Sequence, residues 1–202
     1  IIEIGPGREA LTEEIIKKKP KSLSLIEKDF FLAENLKKKY SDFNNIKVYN
    51  SDVLKFDIEK ITTKNTIIFG NLPYNISSQI LVKFLKFKKW PPKFNDLVFM
   101  FQRELGKKIV GKYASSDYGR ISILSNFRLN IVNKFYVSPN CFFPKPKVTS
   151  MVIHFQPKKK KLFAIKNISN LEKITNILFS NKRKMINKNI KKILTKNKIK
   201  HI

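Results

Sequence analysis

The N-terminal half of the chain alternates short apolar runs with longer stretches in which apolar residues recur every three or four positions. A short apolar run bounded by turn residues is typical of a buried strand, and the longer spacing is typical of a helix with one buried face. The pattern predicts strands at 1–4, 22–26, 46–49, 66–69 and 97–101. It predicts helices at 9–19, 30–40, 76–87, 104–112 and 121–127. This alternation favours βαβ units and a parallel sheet.

The second half of the chain has a different pattern. Two further strands are predicted at 130–137 and 148–155, joined by a proline-rich loop. A lysine-rich linker follows, and apolar residues then recur at helical spacing from 171 to 194 among many Lys and Arg residues. We therefore divide the chain into an α/β domain, 1–157, and a basic helical segment, 158–202. The first starts inside a strand and the second stops without a helix cap, so we expect both ends to be truncated.

Positive charge is the strongest global property of the chain, at a formal +27. From Tyr118 onward lie 20 of the 42 Lys and Arg residues but only one of the 15 acidic residues, Glu172. This asymmetry indicates a polyanionic partner, either nucleic acid or an anionic membrane, and we favour nucleic acid. Codon bias is the alternative explanation, but it does not account for the loss of acidic residues after Asp117.

Rare residues restrict the classes of site. Cys141 is the sole cysteine, so no intramolecular disulfide can form and a reducing, cytoplasmic compartment is expected. His154 and His201 are the only histidines, and we expect no metal site. The apolar runs are too short for a transmembrane helix and no signal peptide is recognisable. We expect a monomer without membrane contact.

A glycine turn lies at the first predicted strand-to-helix junction. Gly5 and Gly7 can adopt positive φ and let a ligand approach the backbone. Glu27 ends the second strand, where a carboxylate can hydrogen-bond both hydroxyls of a ribose. The third glycine of a dinucleotide fingerprint is missing, and a pyrophosphate would be poorly served beside Glu9. The pattern favours a nucleoside cofactor without phosphates, such as S-adenosylmethionine, over a plain tight turn.

A second carboxylate follows the third predicted strand. Asp52 can accept a hydrogen bond from the exocyclic amine of an adenine, while Val53 packs against the base. The alternative is that Asp52 only caps the next turn, because Asp is a favoured cap residue.

The sequence Asn71-Leu72-Pro73-Tyr74 follows the fourth predicted strand and is the most informative feature of the chain. Ligands gather at the carboxyl ends of strands in open α/β sheets, and proline stiffens the turn. The Asn71 amide, two backbone carbonyls and the Tyr74 ring can surround a planar aromatic amine such as the edge of adenine. Acceptors on the amine hydrogens would aim the nitrogen lone pair at a methyl donor, by positioning rather than by a strong base. A structural turn is the alternative.

A set of motifs carries a family resemblance. The motifs are Glu3-Ile-Gly-Pro-Gly7, Leu11-Thr12, Ile26-Glu27, Ser51-Asp52, Gly70-Asn-Leu-Pro-Tyr-Asn-Ile-Ser77, Gln102, Tyr118-Gly-Arg120, Phe142-Phe-Pro-Lys-Pro-Lys-Val148 and Lys182-Arg-Lys184. In order and spacing they resemble the ribosomal RNA adenine N6-dimethyltransferases, and most of all the small-subunit (16S-type) branch. The resemblance implies a Rossmann-like, S-adenosylmethionine-dependent methyltransferase sheet with helices on both faces, plus a small, incomplete C-terminal helical domain.

The same resemblance implies roles for individual residues. The family's cofactor contacts fall on Gly5, Glu27, Asp52 and Asn71, and its catalytic turn on 71–74. The aromatic residue of the proline-rich loop, Phe142, would stack on the target base. Two features depart from the family: a Gln-Asn-Phe-Leu motif expected before the first residue is absent, and Arg8-Glu9 replaces the usual small pair after the glycines.

The expected activity is dimethylation of adenine N6 in small-subunit (16S-type) rRNA, on the pre-ribosomal small subunit during ribosome biogenesis. One alternative is a large-subunit rRNA adenine methyltransferase that confers antibiotic resistance, a branch in which Ile is more frequent than Leu72. Another is a non-catalytic RNA-binding assembly factor, which would be free to lose Asn71 and Tyr74. RNA contacts are expected at five basic residues: Lys145, Lys147, Lys182, Arg183 and Lys184.

Overall fold

The structure is a computed structural model that describes residues 1–159 and 167–180. The strands are β1 (Ile2–Ile4), β2 (Leu23–Glu27), β3 (Ile46–Asn50), β4 (Thr66–Asn71), β5 (Phe94–Gln102), β6 (Leu129–Val137) and β7 (Ser150–Pro157). The α-helices are α1 (Ala10–Lys17), α2 (Phe30–Lys39), α3 (Ile58–Ile61), α4 (Ser77–Leu85), α5 (Arg103–Val110), α6 (Arg120–Arg128) and α7 (Ile168–Leu178). A short 3-10 helix spans Pro139–Cys141.

The seven strands form one sheet in the order β3-β2-β1-β4-β5-β7-β6. Strands β1 to β5 pair in parallel, and β7 runs antiparallel to both of its neighbours, β5 and β6. From β1 the chain first adds β2 and β3 on one side of the sheet. It then crosses to the other side of β1, where it adds β4 and β5. A crevice for ligands forms at such a reversal, outside the carboxyl ends of the central strands.

Helices cover both faces of the sheet. One face carries the larger core, in which α3 to α7 pack on the sheet through residues such as Phe84, Ile109 and Leu124. Its centre is a group of fully buried aromatic rings: Phe84, Phe94, Phe99, Phe101 and Phe155. The other face carries a smaller core between β2, α1 and α2, built on Leu25, Ile15 and Leu36. The predicted fold class is therefore confirmed, as are all seven predicted strands.

The boundaries differ from the predictions at several points. Strand β4 runs two residues beyond its predicted end, because Gly70 and Asn71 stay paired with β5. Helix α3 and the 3-10 helix were not predicted, since single turns carry no periodic signal.

Helix α7 begins at Ile168, which packs in the main core, and Glu172 pairs with Arg120 of α6 at 3.1 Å. The division at 157 and 158 stays a prediction, and the basic helical stretch from 182 to 194 lies outside the described residues.

Two further structural findings concern residues 1–159 and 167–180. None of their helices has both the length and the hydrophobicity that crossing a bilayer requires. They also contain no cluster of three or more His, Cys, Asp or Glu side chains arranged to hold a metal ion.

Candidate active site

The predicted site residues converge at the carboxyl ends of β1 to β4. Residue Ile4 pairs with Ile26 on one side and with Gly70 on the other, so the segments that follow β1, β2 and β4 leave the sheet at one level. Glu27 pairs with Asn50, which places the segment after β3 beside them. The glycine turn, both carboxylates and the Asn-Leu-Pro-Tyr turn thus surround the crevice at the strand-order reversal.

The glycine turn adopts the backbone conformation expected from its sequence. Gly5 and Gly7 have φ of +65° and +55°, a region that L side chains rarely occupy. A Cβ atom at Gly5 would meet no atom within 4 Å, so there is room for a ligand directly against the backbone. Glu9 caps α1 at φ +68° without being glycine. Hydrogen bonds from Tyr40 and Lys39 outweigh the effect of burial and lower the pKa of Glu9.

The backbone fixes the carboxylate of Glu27, which is 7% exposed. Its Oε2 accepts a hydrogen bond from the Gly7 N–H at 3.1 Å, and its Oε1 accepts one from the Asp29 N–H at 2.9 Å. Each carboxylate oxygen has a second lone-pair site, so the group can still accept from ligand hydroxyls. Two amide donors hold this acceptor ready at the end of β2.

Asp52 is held in a similar way. Its Oδ1 accepts from the Leu54 N–H at 2.9 Å, and its Oδ2 lies 3.0 Å from the Lys28 ammonium. These two contacts lower the pKa of Asp52. The contact with Leu54 means that the residue caps the following turn, as the alternative interpretation expected, while Val53 is buried beside it. A role toward an adenine amine stays a prediction.

Lys83, which the sequence did not single out, ties this segment to α4. Its ammonium donates to the carbonyls of Leu54 and Phe56 at 2.9 and 2.6 Å. Burial lowers the pKa of Lys83. The only hint in the sequence was a lysine among the apolar residues Leu81, Val82, Phe84 and Leu85 of this helix. The consequence is that the Asp52 segment and the helix that follows the Asn-Leu-Pro-Tyr turn are joined.

The Asn-Leu-Pro-Tyr turn is anchored at both of its ends. Leu72 is buried over Gly70, where a Cβ atom would lie 2.5 Å from the Leu72 Cδ2 atom, so a larger residue there would displace the Leu72 side chain. The Tyr74 hydroxyl lies 2.7 Å from the Oγ of Ser150, which is fully buried at the start of β7. Asn71 is exposed, and its side chain forms no hydrogen bond with the described residues. The turn is rigid while its amide is free to bind a ligand.

The hydrogen bond between Tyr74 and Ser150 gives a testable prediction. We expect Tyr74→Phe and Ser150→Ala each to lower kcat by roughly 2- to 12-fold, the net value of one hydrogen bond. The double variant should lose no more than either single variant, because both remove the same contact. Methyl-transfer kinetics on the four proteins measure this coupling.

Ser125→Ala is the matched control, because Ser125 is equally buried and its Oγ has no partner among the described residues. It should leave kcat within about twofold of wild type. Additive losses in the Tyr74 and Ser150 variants would show that Ser150 does not act through the Tyr74 hydroxyl.

The proline-rich loop between β6 and β7 flanks this turn, because Ser150 directly follows it. Phe142 is partly exposed, and Phe143 is 95% exposed. Lys145 and Lys147 are both exposed in the same loop. The remaining predicted RNA-binding residues, at 182–184, lie outside the described residues.

Glu3 is a buried carboxylic acid beneath the glycine turn. Its Oε2 accepts from the Thr12 hydroxyl at 2.7 Å, which joins β1 to α1. Burial, with smaller contributions from the carboxylates of Glu9 and Glu27, raises the pKa of Glu3 to about 7 against the effect of this hydrogen bond. The sequence placed Glu3 in the glycine motif but gave no sign that its pKa is raised.

Stability should therefore depend on pH through Glu3. Its folded pKa of about 7 exceeds the ordinary value of 4.5, so the folded state binds the proton more tightly than the unfolded state does. The contribution of Glu3 to the free energy of unfolding should fall as pH rises from 4.5 to 7 and stay level above that. Denaturant unfolding at pH 5 and pH 8 should show a smaller difference in Glu3→Gln than in wild type. An identical difference in the two proteins would contradict the raised pKa.

Comparisons with known proteins identify the family of the chain. A family model described as ribosomal RNA adenine dimethylase matches residues 1–202. This chain belongs to the ribosomal RNA adenine dimethylase family. The resemblance found in the motifs is thereby confirmed.

Two curated relatives in this family align with most of the chain. A protein of Pelagibacter ubique named "Ribosomal RNA small subunit methyltransferase A" is 44% identical over 188 residues, which is 93% of this chain and 71% of that protein. A protein of the same name from Malacoplasma penetrans is 39% identical over 203 residues, covering 100% of this chain and 71% of the relative. The chain thus spans about seven tenths of the length of these relatives.

Solved structures support the fold of the family. A dimethyladenosine transferase from Plasmodium falciparum superposes with a TM-score of 0.74 at 28% identity, covering 94% of this chain and 66% of that one. The 23S rRNA methyltransferase ErmE superposes with a TM-score of 0.69 at 23% identity, covering 99% of this chain and 78% of that one. At 23% identity the second likeness concerns the fold alone.

Proposed function

We propose that this adenine dimethylase family member transfers two methyl groups from S-adenosylmethionine to N6 of adenines in small-subunit rRNA. The observation that carries the proposal is the rigid Asn-Leu-Pro-Tyr turn, set at the same sheet edge as the glycine turn and two carboxylates. The small-subunit methyltransferase name of the relatives at 44% and 39% identity supports the choice of substrate. We also propose a monomer that acts in the cytoplasm on the pre-ribosomal small subunit.

The cofactor side of the crevice fits a nucleoside without phosphates. Glu27 and Asp52 place two carboxylates there, which would repel a pyrophosphate but can accept hydrogen bonds from ribose hydroxyls and an adenine amine. Gly5 and Gly7 leave the backbone open to a ligand, and Val53 offers an apolar side chain for the base. When bound, S-adenosylmethionine supplies an electrophilic methyl group on a sulfonium.

The Asn-Leu-Pro-Tyr turn would hold the substrate amine. The N6 lone pair of adenine is delocalised into the ring, which makes the amine a poor nucleophile. The Asn71 side-chain oxygen and a backbone carbonyl near Leu72 or Pro73 would accept its two hydrogens and favour a pyramidal nitrogen. The lone pair then points into the crevice, so the gain comes from positioning and electrostatics.

The target adenine must leave its stack to reach this turn, as base-modifying enzymes require. Tyr74 would hold the base by stacking, with its hydroxyl fixed on Ser150. Phe142, in the loop that ends at Ser150, would stack on the same base. Aromatic contacts of this kind accept any base, so recognition of the adenine amine rests with Asn71.

Primer extension on rRNA from cells that lack the gene tests the proposal. A dimethylated N6 cannot pair, so reverse transcriptase should stop at the modified adenines in wild-type rRNA and read through in the mutant. Loss of the stops from small-subunit rRNA supports the proposal. Loss of stops from large-subunit rRNA would favour the resistance-type methyltransferase, and unchanged stops with defective subunits would favour a non-catalytic assembly factor.

The exposed lysines of the proline-rich loop should contact RNA phosphates. We expect Lys145→Ala with Lys147→Ala to weaken binding across RNA sequences. The slope of log binding constant against log salt concentration should become shallower by roughly 0.7 to 0.9 for each lost phosphate contact. The basic residues at 182–184 are proposed to act in the same way. Binding titrations at several salt concentrations measure the slope.

The control pair is Lys17→Ala with Lys37→Ala, because each of these lysines pairs with a glutamate on its own helix, and both helices pack in the smaller core beside β2. That pair should leave the slope closer to wild type. Equal slopes in all three proteins would make the loop lysines ordinary solvated side chains.

A further inference from the structure

Arg103 and Tyr136 form an exposed pair at the edge of the active site. The guanidinium carbon of Arg103, the first residue of α5, lies 5.6 Å from the centre of the Tyr136 ring on β6. Such a distance is within the range of a cation–π contact. Tyr136 is nevertheless 56% exposed, and Arg103 is exposed as well. The pair therefore presents a flat aromatic and guanidinium surface to solvent.

A small cavity of about 190 Å³ opens beside Arg103. It is lined by Gln102, Arg103, Glu104, Val148 and Thr149. An amide, a guanidinium and a carboxylate thus face an apolar valine. Because one positive and one negative group share the rim, the cavity suits a neutral polar ring better than a phosphate. A nucleobase has both hydrogen-bonding edges and a stacking face.

The pair and the cavity adjoin the proposed catalytic turn. Gln102 pairs with Ser150 across β5 and β7, and the Ser150 Oγ is the atom that binds the Tyr74 hydroxyl. On the other side of β7, Val137 pairs with the same Ser150, which places Tyr136 one residue away. A nucleotide that followed or preceded an adenine held by Tyr74 would meet this surface first.

The surface is also held rigidly. The Arg103 N–H donates to the Thr149 carbonyl at 2.9 Å, which fixes the start of α5 on the proline-rich loop. One turn later, Gly106 packs so closely on β7 that a Cβ atom there would lie 2.7 Å from the Met151 sulfur. A platform that is ordered in advance costs little entropy when a base stacks on it.

We propose that the Arg103–Tyr136 pair and its cavity bind the base of a nucleotide adjacent to the target adenine. This subsite rests on the proposed function, since its ligand is the RNA that carries the target. The base stacks on the pair, and the Gln102 amide and the Glu104 carboxylate bind its edge or the neighbouring 2′-hydroxyl. Glu104 is available for this role because its contact with Lys107 is long, at 3.5 Å, and exposed.

The test compares Tyr136→Ala with Phe135→Ala on the full chain, by binding of a short single-stranded RNA that carries one adenine between two purines. The two residues are neighbours and almost equally exposed, at 56% and 55%, but Tyr136 pairs with buried Met151 while Phe135 pairs with Val152 and faces the opposite side of the sheet. Loss of one stacked base should weaken RNA binding roughly 5- to 150-fold in Tyr136→Ala. Phe135→Ala should stay within about twofold of wild type, and Tyr136→Phe should retain most of the affinity because it keeps the ring.

A second arm identifies the ligand. Two further RNAs lack the base on either the 5′ or the 3′ side of the adenine, and on one of them the difference between Tyr136→Ala and wild type should vanish. A defect that persists equally on both RNAs, or an equal loss in Tyr136→Ala and Phe135→Ala, would overturn the subsite. Wild-type protein that methylates no rRNA adenine would instead refute the proposed function, so the two failures are distinguishable. Unchanged thermal unfolding of the variants excludes misfolding as the cause.

Discussion

Asn71→Ala should lower kcat for methyl transfer by roughly 10²- to 10³-fold, the loss typical of one preorganised donor or acceptor in an active site. The side chain is exposed at the end of β4 and unbound by the described residues, so its removal should leave the fold intact. Its proposed contact is with the substrate amine as the nitrogen becomes pyramidal. Affinity for S-adenosylmethionine should therefore change much less than kcat, which single-turnover kinetics and calorimetry can separate.

Two variants sharpen this experiment. Asn71→Asp keeps an acceptor oxygen and should lose less activity than Asn71→Ala. Asn130→Ala removes another exposed amide, at the end of β6 far from Ser150, and should behave as wild type. Methyl transfer at the wild-type rate in Asn71→Ala would remove this residue from the chemistry.

Glu27→Ala should weaken binding of S-adenosylmethionine by about 1.5–3 kcal/mol, because a charge-assisted pair of hydrogen bonds to ribose is lost. That corresponds to an affinity roughly 10- to 150-fold lower. The same change also removes the acceptor that holds the Gly7 and Asp29 amides. Glu27→Gln separates the two effects, since it keeps an acceptor for one amide but loses the charge. Titration calorimetry gives the affinities.

Glu34→Ala serves as the control for Glu27, because Glu34 lies on α2 and pairs with Lys37 of its own helix. It should bind the cofactor as wild type does. Equal affinity in wild type and Glu27→Ala would mean that this carboxylate has no contact with the cofactor.

The sequence predicted the sheet and the convergence of the site residues because both follow from local patterns. Apolar runs separated by helical periods predict parallel strands, whose carboxyl ends must meet at one edge. The end of β4 was wrong by two residues because the predicted strand stopped where the apolar run stops, at Phe69. In the structure Gly70 and Asn71 continue the strand because they pair with Phe99 and Met100 of β5.

Contacts between distant residues could not be predicted in this way. Tyr74 and Ser150 are 76 residues apart, and nothing in either motif shows that one hydroxyl binds the other. The hydrogen bonds from Lys83 to the segment after β3 likewise join elements 27 and 29 residues apart. Such contacts depend on how α4 packs on the sheet and on the position of β7 within it, and local sequence patterns determine neither.

Nucleoside analysis of small-subunit rRNA measures whether the protein dimethylates adenine. Small subunits from cells that lack the gene are incubated with the purified protein and methyl-labelled S-adenosylmethionine, and the rRNA is digested to nucleosides. We expect label in N6,N6-dimethyladenosine, and little or none when Asn71→Ala replaces wild type. Label in another nucleoside, or no label with wild-type protein that binds the cofactor, would contradict this expectation.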